Sequence, residues 1–186
     1  MVCTANICRS PVAAALLGDA LTGSGLTVTS AGTRALAGAP TVPEALEYVA
    51  RRTDVAPSLR ATPLTAARTL GVGLVLTMTG AQRAEVVRTA PAMLRRVLTL
   101  RQLVRVAPHL PSDARFGSVQ ECAEALARCR PLAPPAAPGE DDIADPFGGP
   151  PAGYAQSFDL IARSCSLAAE VLLSTVSAGT HGSGRG

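Results

Sequence analysis

Val2-Cys3-Thr4-Ala5-Asn6-Ile7-Cys8-Arg9-Ser10-Pro11 is the stretch on which the rest of the chain turns. A cysteine, five intervening residues and then Arg-Ser form a loop able to hold a phosphate dianion against a thiolate. A free thiol with a pKa near ~8.5 is mostly protonated at neutral pH, so a nucleophilic Cys3 needs help to ionise. Pro11 suits the first turn of a helix, and Val12-Ala13-Ala14-Ala15-Leu16-Leu17 continues it. The positive end of that helix faces back over the loop and favours an anion. Arg9 adds a fixed cation whose planar fork can bond two phosphate oxygens at once. Ser10 can donate to sulfur, and the backbone N–H groups of Thr4, Ala5, Asn6, Ile7, Cys8 and Arg9 can form a nest for the non-bridging oxygens.

A thiolate attacking a phosphate monoester expels a poor leaving group, and a general acid there is worth orders of magnitude. The candidate lies far along the chain, in Asp141-Asp142-Ile143-Ala144-Asp145-Pro146-Phe147-Gly148-Gly149-Pro150-Pro151. Pro146 confines Asp145 to extended backbone, and the glycines and prolines keep the segment a loop. Phe147 offers an apolar wall for an aromatic substrate. Asp141 and Asp142 read as a solvated charge cluster.

Taken together, the segment 3–11 and Asp145-Pro146-Phe147 resemble the low-molecular-weight protein tyrosine phosphatase family. Thr29-Ser30-Ala31-Gly32-Thr33 resembles the segment after that family's second strand, Leu74-Val75-Leu76-Thr77-Met78 its third strand, and residues 154–172 its closing helix. The resemblance implies Cys3 as nucleophile, Arg9 and the loop amides as phosphate binders, and Asp145 as general acid. It implies Asn6, Ser10 and Ser30 as supporting residues: Asn6 holds a strained backbone and Ser10 stabilises the thiolate. Cys8 becomes the neighbour able to form a reversible, protective disulfide with Cys3. It implies no metal and no cofactor. Three departures stand out. Ala5 occupies a place where the family often has glycine, which would strain a backbone of positive φ. No histidine accompanies Pro57-Ser58-Leu59-Arg60. The segment 101–140 is longer than the family pattern, an insertion.

Composition narrows the class. The 186 residues suit one domain with a full core. Net charge is +3, carried by Arg without any Lys, which matches the Arg and Ala usage of a high-GC bacterial genome. No basic stripe interleaved with aromatics points to nucleic acid. No apolar run of about 18 residues suggests a membrane span, and the N-terminus lacks the pattern of a signal peptide. Five cysteines without framework spacing fit reduced thiols in a cytoplasm. Nothing fixes the oligomeric state.

Leu26-Thr27-Val28-Thr29-Ser30 alternates as a strand does, and residues 72–78 read as a strand buried on both faces. Val97-Leu98-Thr99-Leu100 is a short strand candidate. Helices are expected over residues 43–52, from Thr62-Pro63 onward, over 82–88, and from the capping box Ser118-Val119-Gln120-Glu121 to Arg128. Residues 131–138 form a proline–alanine linker. Tyr154, Phe158, Ile161, Cys165, Ala168 and Leu172 keep helical spacing. Strands alternating with helices give an α/β fold, and the resemblance makes it a central parallel four-stranded sheet flanked by helices, phosphatase-I-like. Its first strand is truncated, because only Met1 and Val2 precede the cysteine. The expectation is a natural start upstream, which N-terminal sequencing of the source protein tests. The domain is expected over residues 1–173, with a disordered tail over 174–186.

The expected activity is phosphotyrosine-protein or small aryl phosphate hydrolysis through a phosphocysteine, without nucleic-acid or membrane partners. Two rivals remain. Cys122 and Cys129 share a helix face and could relay a disulfide, as in the arsenate reductases that use a phosphatase-like loop. The other rival is a phosphate- or phosphopeptide-binding protein without turnover. His109 and His181 stand alone, which argues against a metal site.

Overall fold

The structure, a computed structural model, describes residues 1–176. Four short strands form its centre: β1 (Val2–Cys3), β2 (Ala31–Gly32), β3 (Val75–Thr77) and β4 (Val97–Thr99), all parallel in the order β2-β1-β3-β4. The period of two is written in the side chains. Val2, Val75 and Val97 face one way, with Val86 and Met93. Cys3, Leu76 and Leu98 face the other way, into the main core.

Six helices flank this sheet among the described residues: α1 (Arg9–Ala20), α2 (Pro43–Ala50), α3 (Gly80–Thr89), α4 (Leu100–Val106), α5 (Val119–Cys129) and α6 (Pro151–Thr175). The main core joins Val12 and Ala13 of α1 to Phe158, Ile161, Cys165 and Leu172 of α6. Pro43 opens α2, as Pro does where an N–H would be unpaired anyway. Helix α5 starts as expected, with Ser118 Oγ accepting from Glu121 N at 3.2 Å, but Glu121 returns to the N–H of Gly117 rather than to that of Ser118.

Several local expectations need correction. Residues 26–30 are not a strand: β2 covers only Ala31 and Gly32. Pairing depends on a neighbour, and β1 reaches back only to Val2, with Met1 linking through its ammonium to Thr29 O at 2.6 Å. β3 is likewise three residues long rather than seven: Val75–Thr77 are the residues that pair with Val97–Thr99 of β4, and β1 meets β3 only at Thr77. Between these two unpaired stretches lies a groove of about 1200 Å³, lined by Ala14 and Leu17 of α1, Val28, Leu74, Val119 and Leu172. Burial there pushes the Met1 amine down to about 6.

Thr62-Pro63 opens no helix. The Thr62 carbonyl accepts from Gly32 N, Leu64 N donates to Gly32 O, and Thr62 N donates to Asn6 Oδ1, so this backbone is committed sideways. Leu100, placed in a strand by its apolar neighbours, instead begins α4, because Thr99 Oγ1 caps that helix through Gln102 N at 3.0 Å. The tail boundary moves as well. Helix α6 continues through Thr175, where Leu172 and Thr175 are buried, and Phe116 N donates to Thr175 O. The rest of the expected tail, with His181, lies outside the described residues.

Candidate active site

The loop 3–9 joins the end of β1 to the start of α1, at the carboxyl ends of the strands, where ligands bind in open parallel sheets. Its carbonyl groups are taken from outside. Cys3 O accepts from Thr33 N at 2.9 Å, Thr4 O from Arg34 N at 2.8 Å, and Ile7 O from Val42 N at 2.9 Å. In a trans peptide the N–H opposes the C=O, so the N–H groups of Thr4, Ala5 and Cys8 turn inward. Gly32 permits this approach. A Cβ there would lie 2.6 Å from Thr4 O and 2.9 Å from the Ala5 carbonyl carbon.

Asn6 carries the loop's strain. It is the one non-glycine residue with positive φ among those described, at 56°, and it is fully buried. Its side chain leaves no amide group idle. Oδ1 accepts from Thr62 N at 2.8 Å, and Nδ2 donates to Ser10 Oγ and Ser30 Oγ, both at 2.9 Å. The Thr62 N–H can only donate, which fixes the orientation of the amide. Ser10 Oγ, having accepted from Asn6, lies 2.9 Å from Cys3 Sγ, to which it can donate, with Ala31 O at 3.5 Å its other acceptor. Asn6 N donates to the same sulfur at 3.2 Å. Ala5 has no positive φ, so the strain expected from its replacing a glycine is absent. The Thr62 amide holds Asn6 beside the segment without histidine.

Arg9 is 3% exposed and reaches across to the other loop. Nη1 donates to Ile143 O at 2.9 Å and Nη2 to Asp145 Oδ2 at 2.5 Å, while its Nε is buried without a hydrogen-bond partner. A buried guanidinium donor of this kind is costly unless a ligand accepts it.

Asp141 and Asp142 are not a solvated cluster. Asp141 forms a two-pronged pair with Arg105 of α4, at 3.0 and 2.6 Å, and its carbonyl accepts from Thr99 Oγ1. Asp142 Oδ1 accepts from Gly80 N at 2.7 Å, at the start of α3. Ile143 N donates to Met78 O, and Ser157 of α6 donates to Ala144 O. Thus the loop carrying Asp145 is held from β3, α3, α4 and α6.

A cleft of about 390 Å³ opens between the loops, lined by Thr4, Arg9, Arg34, Gln82, Glu85 and Asp145. Phe147 stands beside it, 60% exposed, with its N–H on Asp145 Oδ1 at 3.3 Å. The sequence reading missed Gln82, Arg34 and Arg105. Gln82 carried a signal, since Thr79-Gly80-Ala81-Gln82 fits a capping box, and the structure forms it.

The remaining cysteines are buried as well. Burial, with Asp145 next, pushes the Cys8 thiol up to about 12. Cys122 and Cys129 are buried on α5 against Thr175 and the His109 carbonyl, and burial raises both. Neither lines the cleft.

Comparisons with known proteins agree on one group. The family described as low molecular weight phosphotyrosine protein phosphatase matches residues 1–113. The probable low molecular weight protein-tyrosine-phosphatase EpsP of Ralstonia nicotianae is 35% identical over 128 residues, covering 69% of this chain and 87% of that protein. Its namesake from Ralstonia solanacearum is 42% identical over 92 residues, covering 50% of this chain and 62% of that one. Among solved structures, the YwlE arginine phosphatase from Geobacillus stearothermophilus has a TM-score of 0.68 at 28% identity, covering 92% of this chain and 90% of that chain.

Proposed function

The chain belongs to the low molecular weight phosphotyrosine protein phosphatase family and is a hydrolase of that class, and from that premise we propose that it cleaves phosphotyrosyl proteins or small aryl phosphates through a phosphocysteine on Cys3. The observation that carries this reading is Arg9, which joins the cysteine loop to the Asp145 carboxylate. An incoming dianion meets the inward N–H groups, the free Arg9 Nε and the N-terminus of α1. The Cys3 thiolate, supported by Ser10 Oγ and Asn6 N, attacks phosphorus in line and the P–O bond to the aryl oxygen breaks. Arg9 and the amides stabilise the equatorial oxygens as charge develops. Asp145 gives its proton to the leaving oxygen, then takes one from the water that splits the S–P bond. Cys3 emerges as thiolate and phosphate departs. Phe147, exposed beside Asp145, supplies the wall for the aryl ring.

Phosphoarginine is the second candidate, favoured by the likeness to an arginine phosphatase and by carboxylates at the cleft. A guanidinium leaving group would seek those carboxylates. Glu85 is already paired with Arg34 and Asp142 with Gly80 N, which keeps the aryl ester first. Arsenate reduction would need Cys122 and Cys129 to exchange with Cys3, and both thiols face the core. The five free thiols fit the reducing cytosol. No helix among the described residues is long and apolar enough to cross a membrane.

The test is hydrolysis of p-nitrophenyl phosphate, phosphotyrosine and phosphoarginine in the presence of a chelator, beside Cys3→Ala. Faster aryl ester turnover, lost in Cys3→Ala, is expected. Faster phosphoarginine turnover would transfer the proposal to that substrate, and turnover that survives Cys3→Ala would reject the mechanism.

A further inference from the structure

The turn formed by residues 78–82, which runs from the end of β3 into the first turn of α3, touches both catalytic loops. Toward the cysteine loop, Gln82 Nε2 donates to Thr4 Oγ1 at 3.0 Å. Gln82 is 5% exposed, and its Oε1 accepts from both Met78 N and Thr79 N at 3.1 Å. Its own N–H is capped by Thr79 Oγ1 at 3.2 Å. One carboxamide therefore closes the α3 cap and grips the residue that follows Cys3. Toward the acid loop, Met78 O accepts from Ile143 N at 2.8 Å, and Gly80 N donates to Asp142 Oδ1 at 2.7 Å. Met78 is anchored to the sheet as well, since its N–H donates to Val2 O at 3.1 Å.

We propose that this turn is the spacer that sets Cys3 and Asp145 against each other, with Gln82 the positioning residue for the phosphate-binding loop and Asp142 that for the acid. The inference rests on the phosphatase reading above and adds residues to it. Neither side chain touches the reacting atoms. Gln82 acts through Thr4, whose N–H and carbonyl orient the first turn of the anion nest. Asp142 acts through the backbone three residues before Asp145. Side-chain displacement of about 1 Å at such a site costs on the order of 100-fold in rate. The geometry of residues 78–82 is therefore worth as much as a direct contact.

The two arms have different kinetic signatures. Gln82→Leu loosens the anion nest. It is expected to lower kcat/KM about 10- to 100-fold equally on p-nitrophenyl phosphate and phenyl phosphate, and to weaken inhibition by inorganic phosphate. Asp142→Ala loosens the acid. It is expected to lower kcat more on phenyl phosphate, whose leaving group needs the proton, than on p-nitrophenyl phosphate, and to leave inhibition by phosphate nearly unchanged. Thr4→Val, which keeps shape and removes the hydroxyl, should match Gln82→Leu, whereas Thr4→Ser, which keeps the hydroxyl that Gln82 Nε2 reaches, should recover most of the kcat/KM that Thr4→Val loses. Gln82→Leu added to Thr4→Val should then cost little more. Multiplicative losses in that double variant, or the same leaving-group pattern for Gln82→Leu and Asp142→Ala, would overturn the proposal. If Gln82→Leu fails to fold, the Thr4→Val and Thr4→Ser pair decides: equal activity in the two overturns it. Wild-type protein inactive on both esters would reject the aryl phosphatase reading on which this inference rests, a separate outcome.

Discussion

Arg9 Nη2 donates to Asp145 Oδ2 at 2.5 Å, across 136 positions of sequence. The pair is lopsided: Arg9 is 3% exposed and Asp145 51%. The buried partner is fixed and the exposed one can leave. On the proposed mechanism an anion entering the cysteine loop would compete with Asp145 for the same guanidinium, so that its binding would free the acid.

Removing the competitor separates binding from chemistry. In Asp145→Ala, kcat on phenyl phosphate is expected to fall about 10²- to 10⁴-fold. Inorganic phosphate should inhibit this variant more strongly than wild type, because Arg9 no longer has a carboxylate to surrender. Steady-state kinetics with phosphate as inhibitor reads both, and weaker inhibition would show that the ion pair does not oppose the anion.

Gly32→Ala places a methyl 2.6 Å from the Thr4 carbonyl oxygen. Backbone must shift, and overpacking of this kind costs about 1–3 kcal/mol. Urea unfolding should show that loss, and kcat/KM should fall with it if Thr4 belongs to the proposed anion nest. Wild-type stability and activity together would mean that the loop gives way freely.

Asn6 combines a φ of 56° with three side-chain bonds. Asn6→Gly keeps the conformation and loses the bonds, whereas Asn6→Ala loses both. Leaving Thr62 N unpaired costs about 1–3 kcal/mol, and a left-handed alanine adds about 1 kcal/mol or more. The expected stability order is wild type, then Asn6→Gly, then Asn6→Ala, read by urea unfolding. Asn6→Ala equal to Asn6→Gly would remove backbone strain from the account.

Burial pushes Cys8 and Cys165 up to about 12 in the folded protein, from about 9. The raised folded value means that the native state holds its protons longer than the unfolded chain. Stability from these groups is therefore complete below pH about 9 and is lost as pH rises toward 12, at up to about 1.4 kcal/mol per pH unit per thiol. Chemical unfolding at pH 8, 9.5 and 10.5 should show that decline, reduced in Cys8→Ala. An identical decline in Cys8→Ala would show that Cys8 contributes nothing to it.

The grouping of the candidate site residues was legible where residue type alone carries it. Cys3, Asn6, Arg9, Ser10 and Pro11 are close in sequence, and Pro146 marks Asp145 as a loop carboxyl. What escaped depends on distant partners. The length of β2 follows from its pairing with β1 and that of β3 from its pairing with β4, which no alternation within residues 26–30 or 72–78 records. Asp141 and Asp142 look solvated until Arg105 and Gly80 are placed beside them. Thr62-Pro63 has the letters of a helix start, yet its backbone is claimed by Gly32 and Asn6. Gln82 could be read as a cap, but its second partner, Thr4, lies 78 residues away.

The central claim is a covalent phosphoryl group on Cys3. Rapid acid quench of the enzyme during turnover of p-nitrophenyl phosphate, followed by peptide mass mapping, tests it directly. The expected result is a phosphorylated peptide spanning Cys3, with the group on that sulfur, absent in Cys3→Ala along with turnover. Turnover with no phosphorylated Cys3 at any quench time, or turnover that persists in Cys3→Ala, would contradict the account.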